Sequence, residues 1–74
     1  MKIAKELRVF KRAMNKLGVE VDFPVQNSHY SVVIDGVDTR AHFAISTAHA
    51  RGDLNGRAKL KQWLRQRGYA DLLP

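Results

Sequence analysis

The chain has 74 residues, and 13 Lys and Arg against seven Asp and Glu give it a net charge of +6. It contains no cysteine, which excludes disulfides and a thiolate zinc site. No apolar run reaches the roughly 18 residues of a membrane span, and the N-terminus lacks the apolar block of a secretion signal. We therefore expect one globular domain, residues 1–74, that lies in the cytoplasm and contacts no membrane.

Residues 2–17 repeat apolar side chains at helical spacing, namely Ile3, Leu7, Phe10, Met14 and Leu17. At 100° per residue these side chains fall within an arc of about 80°, so they predict an amphipathic helix that ends at Gly18. The opposite side carries a basic stripe of Lys5, Arg8, Arg12 and Lys16. This stripe is either a solvated face or a surface that binds phosphate groups.

Three segments in the middle of the chain alternate apolar and polar residues and are predicted as strands: 19–23, 29–34 and 39–45. Pro24 follows the first segment, and because proline has no backbone donor it belongs at a sheet edge. A polar turn at 27–28 and the hairpin signal Asp35-Gly36 connect the segments. Such short connections predict an antiparallel meander. Alternation along the third segment places His42 on the face opposite to the apolar residues of its strand.

Residues 57–67 predict a second helix, which begins from Gly56 and ends at Gly68. Asp53 or Asn55, in the polar connection before it, is expected to act as its N-cap. Its apolar face consists of Leu60, Trp63 and Leu64.

The tail beyond the second helix carries Leu72 and Leu73, which are expected to fold back over the core. The order of elements predicts an α+β fold, αβββα. In this fold a three-stranded antiparallel sheet carries both helices on one face.

His29, at the start of the middle strand, is the strongest candidate for a catalytic residue. His42 and His49 are the other histidines, but their spacing forms no His-x-x-x-His pair, so we expect no metal and no cofactor. Ser28 is not expected to pair with His29, because neighbours on an extended chain point to opposite faces. His29 is then either a general acid or base for RNA cleavage or a surface histidine on a half-exposed strand.

The basic composition favours a nucleic-acid partner, RNA or DNA, bound through its phosphate backbone with strong salt dependence. Solubility alone is the other explanation of this charge. The candidate phosphate-binding residues are Arg8, Arg12, Lys16, Arg40, Arg51, Lys61 and Arg65.

A helix that ends in glycine, a first strand, and the turn Ser28-His29-Tyr30 into a second strand resemble the HicA family of small toxin ribonucleases. The runs 44–47 and 54–60 also resemble that family's third strand and final helix. In the family a Gly-Ser-His motif opens the second strand of a double-stranded-RNA-binding-like αβββα fold, and Asn27 replaces its glycine here. The resemblance implies a metal-independent endoribonuclease in which His29 is catalytic and Arg40 and Arg51 steady the phosphate, with an antitoxin as protein partner.

The segment from residue 53 through the second helix also resembles small phage-encoded HicA-like proteins of no settled function. The alternative is therefore a non-catalytic phage or prophage module that inhibits or modulates a host protein. Strandedness of the nucleic acid and the oligomeric state stay open at this point.

Overall fold

The structure, a computed structural model, describes residues 3–45, 54–69 and 72–73. Its elements in chain order are helix α1 (Lys5–Lys16), strands β1 (Val21–Asp22), β2 (Val25–Gln26), β3 (His29–Ile34) and β4 (Val37–Ala44), and helix α2 (Leu54–Gln66). All strand pairs are antiparallel, and β3 lies between β4 on one side and both β1 and β2 on the other. The predicted α+β class with two flanking helices is confirmed.

The sheet has four strands where three were predicted, because β1 lies within the first predicted strand, 19–23, and residues 25–26 beyond it form a further short strand, β2. Val21 lies opposite Ile34 and Gln26 lies opposite His29 in one uninterrupted register, so the two short strands share an edge. Pro24 falls between them and has no N–H to donate, although its carbonyl accepts a hydrogen bond from the Ser31 N–H at 3.1 Å. The proline therefore lies on a sheet edge, as predicted, and divides that edge.

Strands β3 and β4 form a hairpin that has a tight turn at one end and a β-bulge further along. Asp35 and Gly36 both have positive φ, 50° and 79°, which is the pattern of a two-residue type I′ turn. Further along, the pairs Ser31–His42 and Val33–Asp38 leave one residue of β3 opposite three of β4. Arg40 lies within this bulge at φ 63°. The sequence pattern did not predict the bulge, because arginine has no preference for that conformation.

The core forms between one face of the sheet and both helices. Its buried side chains from the sheet are Val21, Tyr30, Val32, Ile34, Ala41 and Phe43, and those from the helices are Leu7, Phe10, Met14, Leu60 and Leu64. The Tyr30 ring stacks on Phe43 at 5.7 Å, and its hydroxyl oxygen accepts a hydrogen bond from the Ala4 N–H at 3.2 Å. Leu73 is buried in the same cluster, which confirms the predicted return of the tail. The other face of the sheet is left uncovered by the helices.

Several predicted boundaries need correction. Helix α1 begins at Lys5, and Leu17, predicted on the apolar face, follows the helix and is 61% exposed. Helix α2 begins at Leu54, so Asn55 lies inside its first turn and does not cap it, whereas Asp53 lies outside the described residues. Within the described part of the chain, no helix is long and apolar enough to cross a membrane.

Candidate functional site

Charge divides between the two layers of the domain. Over residues 3–18, which contain α1, five basic residues accompany one acid, and over 54–69, which contain α2, five basic residues accompany none. The sheet segment 19–45 has the opposite balance, with four acids and a single basic residue, Arg40. The helical layer is therefore strongly positive and the sheet layer is negative.

The predicted phosphate-binding residues lie mostly in the helical layer. Arg8, Arg12 and Lys16 are exposed on α1, Arg65 is exposed on α2, and Lys61 is half-buried there. Arg40 is exposed on the bulge of β4, and Arg51 lies outside the described residues. The fold thus places five of the seven predicted cations on the two helices that cover one face of the sheet.

The four acids of the sheet layer gather toward the end that carries the 35–36 turn. The Glu20 N–H donates to the Asp35 carboxylate at 3.0 Å, and the Tyr69 hydroxyl donates to the same carboxylate at 3.3 Å. Asp22 and Asp38 flank Val33 from the two neighbouring strands. At the opposite end, around the 27–28 turn, the described residues 23–31 and 43–45 include no Asp, Glu, Lys or Arg.

His29 occupies the predicted place at the entry of the middle strand. It lies between Gln26 of β2 and Ala44 of β4, and its side chain is exposed on the uncovered face of the sheet. The next residue, Tyr30, is 1% exposed and packs edge-on against Phe23, with the ring centroids 5.9 Å apart. This anchor and two strand neighbours fix the backbone from which the imidazole projects.

The turn before His29 differs from one sequence-based expectation. The Ser28 Oγ lies 3.4 Å from the His29 Nδ1, so the expectation that these side chains point apart is wrong. Ser28 lies in a turn, where the alternation of an extended strand does not apply. Asn27 before it adopts φ 59°, a left-handed conformation that asparagine tolerates better than most residues other than glycine.

His42 lies on the same uncovered face as His29, and the sequence pattern did not predict that the two side chains are neighbours. His29 lies opposite Ala44, while His42 lies opposite Ser31, so the two histidines are diagonal neighbours across β3 and β4. Both line an open groove of about 630 Å³ on the uncovered face. The signal in the sequence was two histidines on outward positions of predicted neighbouring strands, but only the register brings them together.

The composition of this groove limits its chemistry. Its other described lining residues are Pro24, Val25, Gln26, Asn27, Tyr30, Ser31 and Asp38. None of these described residues is a lysine or arginine, so the arginine expected to accompany His29, Arg40, does not line the groove with it. The described residues also contain no group of three or more His, Asp or Glu side chains that could hold a metal ion.

A second groove follows helix α1 and is largely apolar. It has a volume of about 470 Å³ and is lined by Val9, Arg12, Ala13, Lys16, Leu17 and Leu72. Val9 is 44% exposed although it lies in the middle of the helix. The exposed side of α1 therefore combines apolar and basic residues.

Comparison of the chain with family models, curated proteins and solved structures finds no match in any of the three. The HicA resemblance stays a prediction that rests on the motif and the order of elements.

Proposed function

We propose that this protein is a small nucleic-acid-binding domain, with RNA as its main ligand, and that the helical layer contacts the phosphate backbone. The observation that carries the proposal is the separation of charge between the layers. Ten basic residues against one acid lie in the two helical segments, and the sheet segment has a net negative charge. A surface that presents one sign of charge attracts a polyanion and orients it toward that surface. We place this activity in the cytoplasm.

Phosphate contacts make the affinity for nucleic acid depend on salt concentration, and this dependence can be measured. If the five cations on the helices each contact one phosphate, the slope of log affinity against log salt is about −3.5 for single strands and about −4.5 for duplex DNA. Affinity for a single strand then falls by about 100-fold between roughly 50 and 200 mM salt. A slope near zero, or no binding at the lower salt concentration, would mean that the positive charge of the helices serves only solubility.

A pair of matched charge reversals tests which layer binds. Arg12→Glu changes the net charge by two units on the helical layer, and Arg40→Glu changes it by the same amount on the sheet layer. We expect Arg12→Glu to weaken binding about tenfold or more and to lower the salt slope by about one. Arg40→Glu should change the affinity by less than a factor of two and should leave the salt slope unchanged. Equal losses in the two variants would contradict binding by the helical layer.

The resemblance adds a second step to the proposal, in which His29 takes part in cleavage of the bound RNA. What supports this step is the exposure of His29 on the uncovered face and the rigid backbone that presents it. A proton-transfer group contributes to rate only when its geometry is held, and a central strand beside a buried tyrosine provides that. Cleavage of a bound strand that contains one ribonucleotide, measured with a chelator present, tests this step.

The alternative function is a protein-interaction module, and the apolar groove of α1 favours it. Val9, Ala13 and Leu17 follow each other at a spacing of four, with Arg12 and Lys16 beside them. Such a surface would suit an acidic amphipathic helix of a host protein or of an antitoxin. Val9→Ser should abolish capture of a stoichiometric protein partner while leaving nucleic-acid affinity unchanged. If the protein binds no nucleic acid and Val9→Ser loses such a partner, the alternative replaces the first proposal.

A further inference from the structure

His29 and His42 form a cross-strand pair on the uncovered face of the sheet. Diagonal neighbours on adjacent antiparallel strands have a separation of about 7–8 Å, which long and aromatic side chains bridge. Both imidazoles are exposed and line the same groove, so one small group in the groove can contact both. Their backbones are fixed by the hairpin, because each histidine belongs to a paired position of β3 or β4.

Two imidazoles on one surface supply what RNA cleavage requires. The reaction needs a neutral group that accepts the proton of the 2′-hydroxyl and a protonated group that donates to the leaving 5′-oxygen. Histidine can fill either role, because an imidazole accepts a proton in its neutral form and donates one in its protonated form. A single histidine would have to perform both transfers in turn.

We infer that His42 is a second catalytic residue, which shares the proton transfers of RNA cleavage with His29 in this groove. The inference rests on the proposed function, since it takes RNA as the ligand. The 2′-oxygen forms a bond to phosphorus as its proton passes to one imidazole, and the bond between phosphorus and the 5′-oxygen breaks as the other imidazolium protonates that oxygen. The products are a 2′,3′-cyclic phosphate and a free 5′-hydroxyl, and no metal, oxidant or co-reactant takes part.

The charged groups close to His29 and His42 bear on the pH dependence of the inferred cleavage. Strand β4 contributes Asp38 to the groove and β2 contributes the uncharged Gln26, whereas Asp22 of β1 and Arg40 of β4 are not among its described lining residues, and both helices pack on the other face. The Asp38 carboxylate is engaged by the Arg40 N–H at 2.8 Å. No lysine or arginine is among the described residues of the groove, so among these residues a protonated imidazole supplies the positive charge beside the phosphate. Cleavage should therefore follow a bell-shaped pH profile, since one histidine must be neutral and one protonated.

The RNA can reach this face while the helical layer holds another part of it. The domain measures about 20 Å along its two shorter axes. A strand advances about 3.4 Å per nucleotide in a duplex, so six nucleotides already span about 20 Å. A flexible single strand of 20 nucleotides, about 68 Å long at this spacing, is therefore long enough to pass from the helices around an edge of the domain to the opposite face.

The test uses the full chain, a 20-nucleotide DNA strand that contains one ribonucleotide, and a chelator to remove metal ions. The wild type should cleave on the 3′ side of the ribonucleotide and leave a cyclic phosphate. His29→Ala and His42→Ala should each lower the cleavage rate by about 100-fold to 10,000-fold, and the double variant should be no slower than the slower single variant. Affinity for the all-DNA strand should stay within a factor of two in every variant, because the helical layer is unchanged.

A matched control and a milder variant keep the result interpretable. Asp22→Asn alters an exposed residue of the same face that does not line the groove with the two histidines, and its cleavage rate should equal that of the wild type within a factor of three. His42→Gln should keep the fold, as judged by urea unfolding, and should lose one limb of the bell-shaped pH profile. A His42→Ala or His42→Gln variant that cleaves like the wild type overturns the role of His42. A wild type that binds with the expected salt slope but never cleaves overturns the inference and leaves the proposed function intact, whereas absence of both binding and cleavage overturns both.

Discussion

Thr39 holds the bulge that brings His42 opposite Ser31, and its removal is the most informative structural perturbation. Thr39 is 3% exposed, and its hydroxyl donates to the Val32 carbonyl at 2.7 Å and accepts from the Ala41 N–H at 3.3 Å. All three residues are buried, so water cannot replace these contacts without opening the hairpin. Thr39→Val keeps the shape of the side chain and deletes both hydrogen bonds.

The expected cost follows from those two contacts. Leaving a buried donor or acceptor without a partner costs about 1–3 kcal/mol, and the more strongly engaged group here is the Val32 carbonyl. We expect Thr39→Val to lower the free energy of unfolding by about 2 kcal/mol. For a domain of this size, that is a fall in melting temperature of about 8–16 °C, and with a urea slope near 1 kcal/mol per molar the midpoint falls by about 2 M.

Thr39→Ser provides the control for this experiment. Serine keeps the hydroxyl and loses one buried methyl group, which costs about 1 kcal/mol. Urea unfolding of the wild type and both variants should therefore rank Thr39→Val as the less stable variant, although valine is closer to threonine in volume. The reasoning is refuted if Thr39→Val is as stable as Thr39→Ser, because the hydroxyl would then not support the bulge.

Two further predictions concern backbone positions. In Gly56→Ala the new Cβ would overlap the His42 carbonyl oxygen and touch the Phe43 ring, so overpacking of about 1–3 kcal/mol should outweigh the gain of about 1 kcal/mol in helix propensity. Urea unfolding should show a net loss of stability, and a more stable Gly56→Ala would mean that α2 is not held this closely to β4. Asn27→Gly should raise the melting temperature by a few degrees at most or leave it unchanged, because glycine adopts the positive φ of this position without strain. A clear fall in melting temperature would show that the asparagine side chain itself stabilises the turn.

The sequence by itself determined the local features of this protein. Spacing of three and four placed Leu7, Phe10 and Met14 on the buried face of α1. Alternation by two placed Ala41 and Phe43 on one face of their strand and His42 on the other. The Asp35-Gly36 turn was also predictable, since its type requires positive φ at both central residues. These features depend on a residue and its near neighbours, which a linear pattern records.

The tertiary structure alone decided which of these residues meet. Alternation fixes the face on which a side chain lies, but it does not specify the residue opposite it on the next strand. That register depends on the bulge at Arg40, and the Thr39 hydroxyl supports the bulge only because the packed core excludes water from it. The pairing of His29 with His42 therefore needed the folded hairpin. The concentration of positive charge in one layer likewise depended on packing, because two helices distant in sequence cover the same face of the sheet.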